Sequence, residues 1–366
     1  MMSVAWAKVD VQELPKLGPT LVRDARSLRI CALIPAKDER LGIVKTLESI
    51  IAANMSPSDI YVCDDGSKDG TGEIARSYGV NVLRNQRNVG KATAIARATA
   101  HFNLLDRFDV IALMDADTAV CPGYYAAVRE GFKTPDVVAV CGRPQSLPHN
   151  WLTAYRCYSY FMTHSVYRSG QTAMGVITVA PGCSTSFRTS AFSQLQWCND
   201  TIVEDMDCTI QLHKKKLGKV VYQEKAVVYT QDPKSLKDYI KQTNRWYTGA
   251  WQVGKKHKMF GSLSKIDLEY KLLLGEALVF AVLLCMFPLW VYLVPGKMAA
   301  FIIINGILLV LISTLAGWDS KRADVVLFSP MFVLLQTLDL FILLRSFWKT
   351  VVCGKHDHAW NQCDRY

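Results

Sequence analysis

"YVCDDGSKDGTGEIA", residues 61–75, places three aspartates and three glycines in one short run. From Asp65 the order Asp-x-Ser-x-Asp-Gly fits the first half of an EF-hand loop, in which alternating oxygens wrap a hard cation. The second half excludes it, because the position that needs a bidentate glutamate is Arg76, which repels the ion. Aspartate, serine and glycine also suit a plain strand-to-helix turn, where they cap and bend the chain. The loop alone leaves a capping turn and a ligand-facing loop both open, and its flanks decide between them.

Those flanks alternate strand and helix. "RICALIPA" (29–36) is an apolar strand run, and in "RLGIVKTLESIIAAN" Leu41, Val44, Leu47, Ile50 and Ile51 recur at helical spacing. "DIYVCDD" then reads as a strand, "GTGEIARSYG" as a short helix and "VNVLRN" as a strand. "GKATAIARATAHF" follows as a helix and "FDVIALMDAD" as a strongly apolar strand. Such alternation predicts an α/β fold, a Rossmann-like parallel sheet with helices on both faces, and ligands bind such sheets beyond the carboxyl ends of the strands. Asp64 and Asp65 end the second strand there, and glycines after them let backbone approach a ligand. Asp115 and Asp117 follow the last strand two residues apart, so an irregular turn can aim both at one Mg²⁺ or Mn²⁺. Such an ion needs one or two carboxylates and leaves its other positions to diphosphate oxygens and water.

After residue 270 the composition changes. "LLLGEALVFAVLLCMFPLWVYLV", "MAAFIIINGILLVLISTLAG" and "VVLFSPMFVLLQTLDLFILL" each reach the ~20 apolar residues that cross a bilayer, so a soluble domain is expected to precede a membrane domain. The first thirty residues lack the apolar stretch of a signal peptide, which predicts that the soluble domain stays in the cytosol. Lys255, Lys256, Lys258, Lys265 and Lys271 crowd the entry to the first apolar segment, as cytosolic flanks do. Much of the net charge of +10 therefore borders lipid, and no basic and aromatic interleaving points to nucleic acid. The eleven cysteines form no CxxC pair, which argues against a zinc site or a disulfide framework and for reduced thiols.

With these pieces in order, the chain resembles the membrane-embedded family 2 glycosyltransferases, the group of cellulose, chitin and hyaluronan synthases. The resemblance rests on "PAKDE" (35–39), "DDGSKDGT" (64–71), "NVGKATAIARA" (88–98), "DAD" (115–117), "VED" (203–205) and "QTNRW" (242–246), and covers roughly residues 29–253. It implies a type A glycosyltransferase domain that binds a nucleoside diphosphate sugar, expected to be UDP-linked, with Ala36, Glu39, Asp64, Asp65, Lys91 and Asp115 on the donor. It also implies Asp205 as the base that deprotonates the acceptor hydroxyl, with Glu204 beside it to shift its pKa. Val203 departs from the threonine of the family pattern.

"SLKDYIKQTNRWYTGAWQVGKK" reads as an amphipathic helix with Gln242, Arg245 and Trp246 on one face, suited to a leaving diphosphate and to an acceptor sugar ring. In relatives "VAPGCSTSFRTSAF" corresponds to an acceptor loop, whereas the aromatic stripe of residues 151–168 reads as a helix packed on the membrane part.

The expected order is an extension (1–28), the catalytic domain (29–253), a basic interfacial linker (254–270), about three membrane helices (271–347) and a tail (348–366). Three crossings would leave a basic tail outside, so one segment is expected to be re-entrant or interfacial, foremost the third, which carries Gln336 and Asp339. Those two polar groups could instead line a sugar path. A tryptophan segment over the donor site would come from Trp360 with Arg365, or Trp318 with Arg322. The leading expectation is a metal-dependent synthase that elongates a polysaccharide, with an oligomer or membrane partner completing a channel. Its rivals are a single transfer to a glycolipid acceptor and a non-catalytic nucleotide-binding receptor or scaffold.

Overall fold

A computed structural model describes residues 27–354. Eight strands form one sheet: β1 (Ile30–Ala36), β2 (Ile60–Asp64), β3 (Asn81–Arg84), β4 (Val110–Leu113), β5 (Thr118–Val120), β6 (Val137–Ser146), β7 (Thr185–Arg188) and β8 (Lys219–Thr230). Their order is β3-β2-β1-β4-β7-β6-β8-β5. β1 reads as an unbroken apolar run because it is buried on both faces. Ile30, Ala32 and Ile34 enter one core beneath the helix Arg40–Ala52, while Cys31 and Leu33 enter the other beneath Lys91–His101.

The expected parallel pairing holds for β3-β2-β1-β4 and again between β6 and β8. β4 with β7, β6 with β7, and β5 with β8 run antiparallel, so the sheet is mixed. Strand order reverses between β1 and β4, and the crevice of such a sheet lies beyond their carboxyl ends. β4 ends at Leu113, where its pairing with β1 stops, and Asp115 and Asp117 lie past the strand. Residues 114–117 then form a loop between β4 and β5.

The helix Leu236–Lys256 carries the "QTNRW" element and joins the sheet domain to the apolar helices. Tyr239 and Tyr155 donate to Asp339 at 2.6 and 2.8 Å, Trp251 Nε1 donates to Ser346 Oγ at 3.1 Å, and Gln336 reaches Tyr158 at 3.4 Å. The polar groups of the third apolar segment therefore dock that helix onto the catalytic domain. Two helices, Pro295–Ser320 and Ser329–Val352, are long and apolar enough to cross a membrane. The break expected in the third segment lies in the first instead: Lys265–Cys285 and Phe287–Leu293 meet at 55°. Pro288 stands in the first turn after that break, where its ring and missing N–H interrupt a continuing helix. The helix before the first apolar segment runs to Lys256, and the next begins at Lys265.

Candidate active site

The opening acidic loop builds the floor. Asp65 is buried and both its oxygens are engaged: Oδ1 accepts from Asn85 Nδ2 and Val89 N at 2.9 Å, and Oδ2 from Gly90 N at 3.0 Å. Its own amide donates to Ala36 O at 2.8 Å, which ties the end of β1 to the loop. Asp64 is enclosed, accepts from Ser67 N at 2.9 Å and lies 3.5 Å from Arg84. Glu39 is buried at the start of the first helix, and its amide donates to Thr71 Oγ1 at 2.9 Å. Asp64 and Asp65 thus hold loop to strand, and what the loop presents is backbone and the residue it launches, Lys91.

The loop after β4 supplies the second wall. Met114, Ala116 and Thr118 are buried while Asp115 and Asp117 between them are half-buried, so the alternation turns both acids to one face. Gly42 lets the first helix press on this loop, since a Cβ there would lie 2.9 Å from Ala116 O and 3.1 Å from Asp117 Cα. Thr46 Oγ1 donates to the same carbonyl at 2.9 Å. Burial pushes the Cys183 thiol well up, and the charges of Asp115 and Asp117 add to the shift, so both carboxylates lie within electrostatic range of that residue. Two hard oxygen donors aimed together fit Mg²⁺ or Mn²⁺.

The third wall is the first turn of the helix Glu204–Lys214. Lys91 Nζ lies 2.6 Å from Asp115 Oδ1 and 2.6 Å from Glu204 Oε1, joining the loop after β4 to this helix. Asp205 accepts from Gly182 N at 3.1 Å and Met206 N at 2.8 Å. Burial raises its pKa, Glu204 raises it further, and Lys91 opposes both. Burial alone would lower the pKa of Lys91, but Asp115 and Glu204 outweigh it and hold the ammonium charged. Thr209 fastens the glycine loop to this turn, accepting from Ala180 N at 2.9 Å and donating to Asp205 O at 2.7 Å. Val203, where the family pattern has threonine, is buried against Gly249, whose Cβ would lie 2.5 Å from its methyls. The departure serves packing between the two helices.

Gln242 and Trp246 meet Arg156, which is buried on the helix Trp151–Tyr160. Its guanidinium donates to Gln242 Oε1 at 2.8 Å, lies 4.5 Å from the centre of the Trp246 ring and 3.6 Å from Asp232 Oδ1. One face of the indole is thus covered by a cation. Asp232 follows β8, whose Thr230 pairs with Thr118, and Asp117 adds to the rise in pKa that burial gives it. Arg156 and Asp232, which nothing in the local sequence marks, therefore connect the tryptophan helix to the loop after β4. Arg245 is half-buried and makes no hydrogen bond or ion pair among the described residues.

A second cluster also escaped the sequence. Lys256, grouped there with the lipid-bordering lysines, turns inward to Asp207 and Asp200 at 2.9 Å each and to Cys198 at 3.2 Å, while His257 contacts Asp207 at 2.7 Å. Donor atoms of Cys198, Asp200 and Asp207 lie within 4.8 Å of one another, the spacing of a metal site, but the ammonium already bridges all three. Of the proposed covering tryptophans, Trp318 is 81% exposed, with Arg322 turned inward onto Ser146 O and Asp324. Trp360 and Arg365 lie outside the described residues.

Residues 28–249 match the family described as Glycosyltransferase like family 2. The chain belongs to that family. The poly-beta-1,6-N-acetyl-D-glucosamine synthase of Staphylococcus aureus is 26% identical over 272 residues, covering 72% of this chain and 63% of that one. The hyaluronan synthase of Streptococcus pyogenes is 29% identical over 239 residues, covering 60% of this chain and 56% of that one. The chain thus spans less than two thirds of these relatives' length. Among solved structures, the mannosyltransferase PcManGT from Pyrobaculum calidifontis, in complex with GDP-Man and Mn²⁺, aligns over 91% of both chains with a TM-score of 0.62 and 15% identity. At that identity the likeness is one of fold, the type A glycosyltransferase fold of this family.

Proposed function

We propose that this glycosyltransferase is a membrane-bound, inverting enzyme that moves a sugar from a UDP-linked donor to a growing polysaccharide, with its catalytic domain on the cytosolic side. The observation that carries the reading is the continuity of donor and base ends, for one ammonium touches both Asp115 and Glu204 while Asp205 stands beside Glu204 on a buried glycine amide. The relatives named above are synthases of repeating polymers. The lysines ahead of the first apolar helix support the cytosolic side.

In the proposed reaction an acceptor hydroxyl oxygen attacks the anomeric carbon opposite the departing diphosphate. Asp205 takes the hydroxyl proton, the new C–O bond forms, and the old bond breaks with its electron pair on the β-phosphate oxygen. Inversion follows from attack on the opposite face. Burial and the neighbouring Glu204 raise the pKa of Asp205, which makes its carboxylate a stronger proton acceptor than an ordinary aspartate. A divalent ion held by Asp115 and Asp117 would neutralise charge on the leaving diphosphate. Lys91 adds a positive charge for the same oxygens, and Trp246, fixed by Arg156, bounds the acceptor end. Ala36 at the end of β1 and Glu39 at the start of the first helix border the nucleotide, and Arg245 on the same helix face as Trp246 faces the diphosphate.

The test is detergent-purified protein with a panel of UDP-sugars and GDP-mannose, each with Mg²⁺ or Mn²⁺, measuring nucleotide release and product length. A ladder of long products from one UDP-sugar is expected. A single sugar on a lipid would assign the chain to glycolipid transfer, and nucleotide binding without release from any donor would make it a receptor.

A further inference from the structure

Lys91 stands on a support that fixes where its side chain begins. Asp65 holds the amides of Val89 and Gly90. Gly90 has φ +88°, and a Cβ there would lie 2.6 Å from Asn199 Nδ2. That Asn199 amide in turn donates to Val89 O and Thr93 Oγ1 at 2.8 Å. From this fixed start Lys91 reaches forward until Nζ lies 2.6 Å from a carboxylate of the metal loop and 2.6 Å from one of the base helix. Gly182 closes the remaining side, with its Cβ position 3.4 Å from Nζ and 3.5 Å from Glu204 Oε1.

An Asp115 oxygen that receives an ammonium at 2.6 Å binds a divalent ion less well, because two cations at such range in a half-buried site repel. We propose that Lys91 is a tethered cation that exchanges with the divalent ion at Asp115: as ion and nucleotide enter together, the ammonium leaves the Asp115 oxygen for the diphosphate. This rests on the assignment of Asp115 and Asp117 to the ion. Lys91 then opposes the ion alone and favours the ion with nucleotide, so the site fills with the pair. Its tie to Glu204 places this exchange beside the base, coupling donor occupancy to the acceptor side.

The exchange predicts effects of opposite sign from one substitution. On the full chain in detergent, free Mn²⁺ is followed by its electron paramagnetic resonance signal, and UDP binding is followed by calorimetry with Mn²⁺ present. Lys91→Met should bind Mn²⁺ alone about tenfold more tightly and UDP about tenfold more weakly. Lys91→Arg, which keeps the charge, should show no tightening of Mn²⁺. If Lys91→Met does not fold, Lys91→Gln, which keeps hydrogen bonding without charge, gives the same reading. A folded, uncharged variant whose Mn²⁺ affinity is unchanged or weaker would overturn the exchange while leaving the ion site standing. Asp117→Ala separates the two failures: it should lose Mn²⁺ alone, and if it binds Mn²⁺ as the wild type does, the ion site is wrong and the exchange falls with it.

Discussion

Two pairs of acids lie at the carboxyl ends of β2 and β4, the strands on either side of β1, and have opposite surroundings. Asp64 and Asp65, after β2, are enclosed and answer to their own chain through Ser67 N, Asn85, Val89 N and Gly90 N. Asp115 and Asp117, past β4, are half-buried, and Asp115 answers to a lysine shared with the helix Glu204–Lys214. The difference teaches that an acid at a strand end belongs to the architecture when the amides of its own loop engage it, and stays available to a ligand when its partner is a side chain shared with another element. The architecture serves the chemistry, because the amides held by Asp65 launch Lys91.

Substitutions separate the two pairs. Asp65→Ala removes the acceptor of Asn85 Nδ2 and Val89 N and one of the two acceptors of Gly90 N, at roughly 1–3 kcal/mol for each donor left unsatisfied. A stability loss of about 3 kcal/mol or more should appear as early thermal unfolding in detergent, and an unshifted melting temperature would break the contrast. Asp117→Ala should leave the melting temperature near that of the wild type while lowering kcat/KM by about a hundredfold. A chelator should reproduce that loss in the wild type and add nothing in the variant. Arg156→Met removes the cation over Trp246 and the bond to Gln242, so acceptor KM should rise by about tenfold with donor affinity kept, which steady-state kinetics with each substrate varied will show.

The smallest effect concerns pH. Burial first, and then Glu204, raises the pKa of Asp205, so its carboxylate is protonated and inactive as a base at a higher pH than an ordinary aspartate. Activity should therefore rise with pH along a limb displaced above the usual carboxylate range. Glu204→Gln removes one cause and should move that limb to lower pH; a limb that stays in place would show that Glu204 does not act on Asp205.

The floor and the acid walls were legible in the sequence because strand ends, glycine turns and short acidic motifs are local. The Asp64 and Asp65 loop falls where the alternation put it. What was not legible depends on register and on contacts between distant residues. The antiparallel half of the sheet is set by pairings such as Leu113 with Thr185, and the Lys91 to Glu204 contact joins elements more than a hundred residues apart. Lys256 was misassigned because a lysine beside an apolar segment carries the same local signal whether it faces lipid or, as here, Asp207. The bend of the first apolar segment had a readable sign in Pro288, whereas Gln336 and Asp339 drew attention to the third.

The central claim is that Asp205 removes the acceptor proton at a site that Asp115 and Lys91 fill with donor. It is tested by Asp205→Asn, with UDP binding and sugar transfer measured on the same preparation. The account predicts donor affinity within about twofold of wild type and transfer lower by about 10²–10⁴; wild-type transfer by the folded Asp205→Asn variant would contradict it.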